Sequence, residues 1–489
     1  MSAELGIAAT ETETPEFLEI FSGNWPSSTE AMAWATPYGA SVNGSFSADS
    51  PFGLWGYGDG RAMSIGHFHG SHHSWELQLK GAGRTPFSRN FDGRAVLRSS
   101  VREFLASEAM HSLGVPTTRS LSLVASSQRV TRPWYLPPGL SSPTAAHAPS
   151  CNQEERAAVL CRCAPSFWRV GHVELFARRD PEELNDLLWH LIKQENLRLP
   201  SSRLSDSIVA FFDDFLSKQA ELVAEWLRVG YVHGNMNSDN CLLCGHTLDY
   251  GPFAFLERFD PHFQPFTSDK KGNYAFQRQS TAAAVNARVL AESLPSGLSG
   301  NEQSDCQLKL QKLLQDFDRR FDKAHAECCR RKLGLQRWDG EAQQLWSDLL
   351  DIMAKTGADF TILLRLLSGV DIDKPDVEQL GRAFIEAPSG DGRHVWAAWL
   401  HRYADRLNKE GRDKAARLSE MLAASPKYVA RNWMLFEAYE AAERGDYAPV
   451  RGMLQLFMRP YDEQMQFEEA FFRVAPTWSL SRGGLAYLS

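Results

Sequence analysis

The sequence predicts an α+β protein of two lobes, the first rich in strands and the second in helices, followed by a helical extension. Three observations lead there. The opening 125 residues carry short alternating apolar and polar runs with glycine turns, then one amphipathic helix. A dense polar motif at 233–240 follows a long helix and precedes a strand pair. Beyond about residue 300 the pattern is helix after helix. The expected divisions are a first lobe over 1–125, a Pro/Ser-rich insertion over 126–156, a mainly helical second lobe over 157–375 and an extension over 376–489.

Each element has a local cause. Strands are expected at Ala62 to Ile65 and at Trp75 to Leu79, where Trp75, Leu77 and Leu79 alternate with polar residues. The helix runs from about Ala95 to Leu113, with Leu97, Val101, Phe104, Leu105 and Glu108 on one stripe; Gly114 and Pro116 stop it. Ser, Pro and Ala dominate 126–156, which reads as a surface loop. A second clear helix spans Asp206 to Val229 and ends at Gly230. Trp and Phe recur at helical spacing in the tail and read as packing surface.

Composition narrows the function. With 489 residues, 43% hydrophobic and 23% charged, the chain can build two or three cores. A net charge of -8 makes no electrostatic case for a nucleic-acid or anionic-membrane partner. No run approaches the roughly 20 apolar residues of a bilayer span. The first sixty residues lack Lys and Arg, which argues against a secretory or mitochondrial leader and makes the cytoplasm the default compartment. Eight cysteines are no disulfide framework at this length. Cys241 and Cys244 form a lone CxxC with His246 nearby, but Leu242, Leu243 and Leu248 make buried thiols the better reading than a zinc site.

The strongest chemical signal is His233-Gly-Asn-Met-Asn-Ser-Asp239-Asn240, followed by Asp249-Tyr250-Gly251. Kinase-like enzymes place His-x-Asp, then an Asn five residues on, then Asp-x-Gly after a short hairpin. Asn240 and Asp249 stand at the two metal-binding positions, where a hard cation wants oxygen ligands. The hairpin is expected from Cys241 to Leu243 and Thr247 to Asp249, turned at Gly245-His246. Asn235 replaces the kinase base, and an amide accepts no proton at neutral pH, so Asp239 is the candidate carboxylate. An ordinary polar turn is the plain alternative, which the flanking helix and strands disfavour.

Weaker signals surround it. Lys80, ending a strand in Lys80-Gly-Ala-Gly83, can reach a phosphate as a point charge. Its carboxylate partner is Glu103 or Glu108, and helical spacing slightly favours Glu108. The run Gly53-Leu-Trp-Gly56-Tyr-Gly58-Asp-Gly60-Arg61 lets backbone amides approach phosphates, as does Asp92-Gly93-Arg94 at the expected helix start. Arg162 and Arg169, seven apart, suit one helix face. Alone, each of these is equally a surface lysine, a tight turn or a solvated arginine.

Together, these segments resemble the selenoprotein O family, protein adenylyltransferases with a pseudokinase fold. The resemblance rests on Tyr57 to Ala62, Leu79 to Arg89, Phe91 to Met110, Leu113 to Leu121, Arg169 to His172, Val232 to Asn240, Leu248 to Phe253, and the late stretches Ser425 to Trp433, Gly445-Asp446 and Arg459 to Tyr461. It implies an ATP flipped relative to a protein kinase, with AMP moved to Ser, Thr or Tyr hydroxyls of other proteins. By that resemblance Lys80 binds phosphate with Glu103, not Glu108, as its partner. Asp239 is the base, and Asn240 and Asp249 hold Mg²⁺ or Mn²⁺. Gly58, Gly60, Arg61, Asp92, Gly93, Arg162 and Arg169 join Lys80 and Asp249 around the nucleotide. A monomer is expected, and mitochondrial residence is an alternative to the cytoplasm that the resemblance alone raises. The chain departs from the family at Asp49 to Gly53, in the 126–156 insertion, and at its end, which lacks a cysteine. The alternatives are γ-phosphate transfer, which Asn235 opposes, and a silent ATP-binding scaffold, which the retained Lys80, Asp239, Asn240 and Asp249 oppose.

Overall fold

A sheet with one apolar and one polar face organises the N-terminal part. Its strands are β1 (Ala62–His69), β2 (Ser74–Lys80), β3 (Ala95–Val96), β4 (Arg119–Trp134) and β5 (Cys151–Ala164). The computed structural model describes residues 1–24, 33–38, 41–42, 45–46, 57–69, 74–88, 91–134, 151–194, 203–266 and 268–481. All five strands pair antiparallel: β5 lies between β4 on one side and β2 with β3 on the other, and β1 flanks β2. The two-residue period of β2 sends Leu77 and Leu79 to a face where Val159, Cys161 and Cys163 pack beneath Leu5 and Phe21. Glu76, Gln78 and Lys80 line the opposite face, and they too are buried.

Three expectations change here. The loop expected over 126–156 is strand in residues 126–134 and 151–156, while 135–150 lie outside the described residues, as do Gly53 to Gly56, the Asp49 to Gly53 departure and the chain end after Ser481. Val130 and Ala157 bury against Val96, so packing and strand pairing overrode a Ser-, Pro- and Ala-rich composition. Arg162 therefore sits on a strand, and Arg169 precedes helix α2, so they share no helix face. Finally, β3 takes Ala95 and Val96, so helix α1 (Leu97–Ser112) starts two residues late and the Asp92-Gly93-Arg94 turn is not at its N-terminus. Its stop is as expected: Gly114 follows with φ 79°.

The rest is helical, including α2 (Val170–Arg179), α3 (Leu204–Val229), α4 (Gln279–Ser293), α5 (Phe360–Leu367), α6 (Gly390–Glu410) and α7 (Asn432–Glu443). Gly230 ends α3 at φ 74°, and a Cβ there would come within 2.8 Å of the Phe360 ring, so only glycine fits. Tyr231–Val232 then pairs antiparallel with Ala254–Phe255, closing off the loop between them. The strand pair expected inside that loop is reduced to one bridge, Cys241 with Thr247. The carbonyls of Cys241 and Thr247 instead accept from the amides of Val170 and Thr118, so neighbouring segments satisfy this backbone.

The tail is packing surface: Trp396, Trp399 and Trp433 are fully buried, and Trp399 donates to the Leu345 carbonyl. Cys241 and Cys244 are buried free thiols, and burial pushes Cys241 up to about 12. Among the described residues no helix is long and apolar enough to cross a membrane.

One buried arginine fastens the tail. Arg431, just before α7, donates to Glu257 at 2.5 Å and to both Asp359 oxygens at 2.5 and 2.8 Å; Asp359 also caps α5 through the Ile362 amide. Burial, more than Asp359, raises the Glu257 carboxyl, against the pull of Arg431. Arg431→Met would strand the buried Asp359 carboxylate and leave the partly exposed Glu257 without its partner. It is expected to cost about 3–5 kcal/mol in urea unfolding, as breaking a buried pair does; a loss near zero would show that the triad does not hold the tail.

Candidate active site

Four ionic side chains from four separate segments meet on the polar face of the sheet. Lys80 at the end of β2 places Nζ 2.6 Å from Glu103 Oε2 on α1 and 3.4 Å from Asp249 Oδ1. Arg162 of β5 places Nε 2.5 Å from Glu103 Oε1 and Nη2 3.5 Å from Asp249 Oδ1. The sheet register explains the meeting: Arg162 stands opposite Gln78, two residues from Lys80 and hence on the same face. Glu108, which spacing favoured, is taken by Arg119 at 2.8 Å.

The charges tune one another. Burial opposes the Asp249 anion, but Lys80, Arg162 and Arg61 together hold its carboxyl well below the usual range. Glu103 is likewise lowered, with Arg162 and Lys80 outweighing burial. Burial and the neighbouring Arg162 push Lys80 down, while Glu103 and Asp249 resist. Arg162 Nη2 is buried without a hydrogen-bond partner, a donor that an anion in the cleft can use.

A second group lies alongside. Arg169 places Nη2 3.0 Å from Asp59 Oδ1 and its guanidinium 4.3 Å above the Tyr38 ring. Thr36 donates through N and Oγ1 to Asp59 Oδ2, at 3.2 and 2.7 Å. Gly58 and Gly60 flank Asp59, and a Cβ on Gly58 would strike the Phe87 ring at 2.4 Å, so close packing requires glycine there. The Gly81 amide donates to the Arg61 carbonyl at 2.6 Å, docking this turn onto the lysine strand. Arg61 itself is lowered by burial, against the pull of Asp249 and Glu103. Gly93 (φ 68°) abuts Gly83, whose carbonyl would lie 2.0 Å from a Cβ. Asp92 does not join the cluster: Arg132 holds it at 2.7 and 2.9 Å.

The loop between Tyr231–Val232 and Ala254–Phe255 supplies the remaining groups. His233 is anchored by its Nε2 against the Leu248 carbonyl at 2.8 Å, and Ser238 donates to Glu174 at 2.7 Å. Asn240 spends its Nδ2 on the Asn235 carbonyl at 3.1 Å, leaving Oδ1 as an acceptor. Asn235, Asp239, Asn240 and Asp249 are each half-buried, and Asp239 lies within electrostatic reach of Arg169 and Tyr38. Asp249 adopts φ 65°, a left-handed conformation costly for a non-glycine residue. Among the described residues no three His, Cys, Asp or Glu side chains cluster to hold a metal. Two oxygen donors, Asn240 and Asp249, fit a hard cation whose other ligands come from phosphate or water.

The cations of this arrangement suit an anionic ligand. Residues 1–458 match the family described as protein adenylyltransferase SelO. The chain belongs to the SelO family. It is 39% identical over 495 residues to the protein nucleotidyltransferase YdiU of Azoarcus sp. (strain BH72), covering 100% of this chain and 90% of that one. It is also 39% identical over 501 residues to the YdiU of Xanthomonas campestris pv. campestris (strain B100), with the same coverage. The YdiU of Tolumonas auensis is 37% identical over 495 residues. As a SelO-family member the chain is an enzyme, a nucleotidyltransferase.

Sequence reasoning missed several contributors around this SelO site. Asp59 and His172 stood inside quoted motifs without a role; the structure gives His172 the Arg169 amide on Nδ1 and Thr36 on Nε2, both at 2.9 Å. Tyr38 and Arg132 gave no signal, because their partners lie far along the chain. Glu103→Gln should lower turnover by about 10²-fold or more while leaving the fold intact, since Lys80 and Arg162 lose their common anion. Because Glu103 is lowered in the fold, its stabilisation is present above the ordinary glutamate value of about 4.3. It fades as pH falls through the folded value. Wild type should therefore outlast Glu103→Gln in thermal melts at pH 7, and the gap should close below about pH 4; a gap unchanged by acid would refute the ion-pair account.

Proposed function

We propose that this enzyme transfers AMP from ATP to Ser, Thr or Tyr hydroxyls of proteins, in a two-lobed, kinase-like cleft with ATP flipped relative to kinases. The observation that carries the reading is the pairing of Asn235, an amide at the usual base position, with a retained Lys80, Glu103, Arg162 and Asp249 cluster. A site that kept its phosphate cations but gave up its kinase base has its acceptor elsewhere, and Asp239 is the nearby carboxylate.

In this mechanism Asp239 takes the proton of the acceptor hydroxyl. The hydroxyl oxygen bonds to the α-phosphorus, the α–β bridging bond breaks and pyrophosphate leaves. Lys80, Arg162, Arg169 and Arg61 bind the phosphates; Gly58, Gly60 and Gly93 line the rest of the nucleotide, and Asp92, engaged by Arg132, borders it from outside the ionic cluster. Glu103 orients Lys80 and Arg162. Asn240 and Asp249 would hold Mg²⁺ or Mn²⁺, which when bound neutralises phosphate oxygens. Protein nucleotidyltransferase is the name its relatives carry, which supports a protein acceptor.

Two measurements test it. Label from α-³²P-ATP should appear on protein and label from γ-³²P-ATP should not; comparable γ transfer would make this a kinase. Asp239→Asn should slow AMP transfer by about 10²–10⁴-fold with ATP affinity little changed, the range for a positioned base. Asn235→Asp should not create γ transfer. Near-normal turnover by Asp239→Asn would move the base to another residue.

A further inference from the structure

Beside the catalytic loop opens a cavity of about 300 Å³ to which the mechanism gives no role. Its walls are Met236, Asn273, Tyr274, Ala282, Val285 and Asn286, with Thr281 and Arg278 at the rim. Met236 stands between Asn235 and Asn237, three residues before Asp239, so the cavity abuts the groups assigned to proton transfer. It is also wired to them. Tyr274 donates through its hydroxyl to Asn237 Oδ1 at 2.5 Å, and Asn286 donates through Nδ2 to the Met236 carbonyl at 2.9 Å. Asp269 accepts from the Tyr274 amide at 2.8 Å and from Asn273 Nδ2 at 3.2 Å, which fixes the opposite wall.

The rim residue Arg278 and the neighbouring Lys270-Lys271 pair carry charge out of keeping with the whole chain. Lys270, Lys271 and Arg278 are all exposed, and none forms an ion pair with a described residue. Arg278 donates to the Lys271 carbonyl at 3.1 Å, which ties the backbone of the Lys270-Lys271 pair to the rim residue. In a protein of net charge -8, three exposed cations within nine residues, one of them on the cavity rim and none ion-paired among the described residues, are a local feature, not a consequence of composition.

We propose that this cavity and its basic rim dock the acceptor protein through an acidic segment, seating an apolar side chain adjacent to the hydroxyl that receives AMP. Rim cations attract and orient the acidic residues, and Met236, Ala282 and Val285 bury the apolar one, while the Asn273 and Asn286 amides border its backbone. The inference names the acceptor class for the adenylyl-transfer reading and rests on it. A nucleic acid fits less well, because the chain as a whole is acidic and the cavity walls offer no aromatic stacking platform beyond Tyr274.

Binding and transfer are measured separately on the full-length protein. The probes are a fluorescein-labelled peptide with threonine between two leucines flanked by glutamates, its counterpart with lysine flanks, and a labelled oligothymidylate. Fluorescence anisotropy reads affinity, and α-³²P-ATP reads transfer. The acidic peptide should bind about tenfold or more tighter than the lysine peptide, with an advantage that shrinks as salt rises. Lys270→Glu/Lys271→Glu/Arg278→Glu should abolish or invert that preference, and Thr281→Trp, filling the mouth from an exposed position, should weaken the acidic peptide. Release of AMP to water should be unchanged in both variants, and unaltered melting temperatures exclude misfolding. Equal affinity for the two peptides, a preference that survives charge reversal, or tighter binding of the oligothymidylate would overturn the proposal. Peptide preference with no transfer of α label to any acceptor would uphold the docking surface and count against adenylyl transfer itself.

Discussion

Lys80 and Arg162 share the two oxygens of Glu103 and both face Asp249, in a site with little access to water. In such surroundings each charge is costly alone and tolerable only with its partners. The cluster therefore requires β2, β5, α1 and the Asp249 loop to be in place at once, which makes it a condition of the fold as much as of the chemistry. Two cations against two anions leave it near neutral, so on the proposed function a polyphosphate entering the cleft draws Lys80 and Arg162 partly away from the carboxylates. Arg61, drawn toward both Asp249 and Glu103, and Arg162 Nη2, which makes no hydrogen bond, add positive charge beside them.

The helical tail braces this cluster from behind. Arg102, next to Glu103 on α1, donates to the Phe253 carbonyl at 3.1 Å and to Asn432 of α7 at 2.9 Å. Arg228, near the end of α3, donates to the carbonyls of Leu113 and Ala424 at 2.6 and 3.2 Å and to the Tyr461 hydroxyl at 2.7 Å. With the Arg431 triad, these contacts bind the last quarter of the chain to the helix that carries Glu103 and to the loop that carries Asp249. Buried arginines suit the work, because one planar group reaches several carbonyls and carboxylates together.

Asp249 shows what the brace sustains. Its left-handed backbone costs about 1–3 kcal/mol in a residue with a Cβ. The Tyr231–Val232 and Ala254–Phe255 pairing, the His233 anchor on Leu248 and the Tyr250–Thr117 hydrogen bond surround the position and hold it. The carboxylate is thereby turned toward Lys80 and Arg162 instead of along the chain.

The residues whose chemistry lies within a short run were legible in the sequence. Lys80 before its glycines and Asp249 before Gly251, which meet in the ionic cluster, are marked by neighbours a few positions away, as are the ends of α1 and α3 at Gly114 and Gly230. Local rules of period and capping act over that range. What spans the chain was not legible. Helical spacing favoured Glu108 because it lay on the apolar stripe, yet α1 is buried almost all round, and docking gave Glu103 to Lys80 and Glu108 to Arg119. Arg162 and Arg169 looked like one helix face until β5 claimed the first through pairing with both β2 and β4. Asp92 fell to Arg132, from a stretch whose composition suggested a loop. A run of residues encodes its own turns and periods, whereas a buried ion pair is chosen by register and packing between segments that only the folded chain brings together.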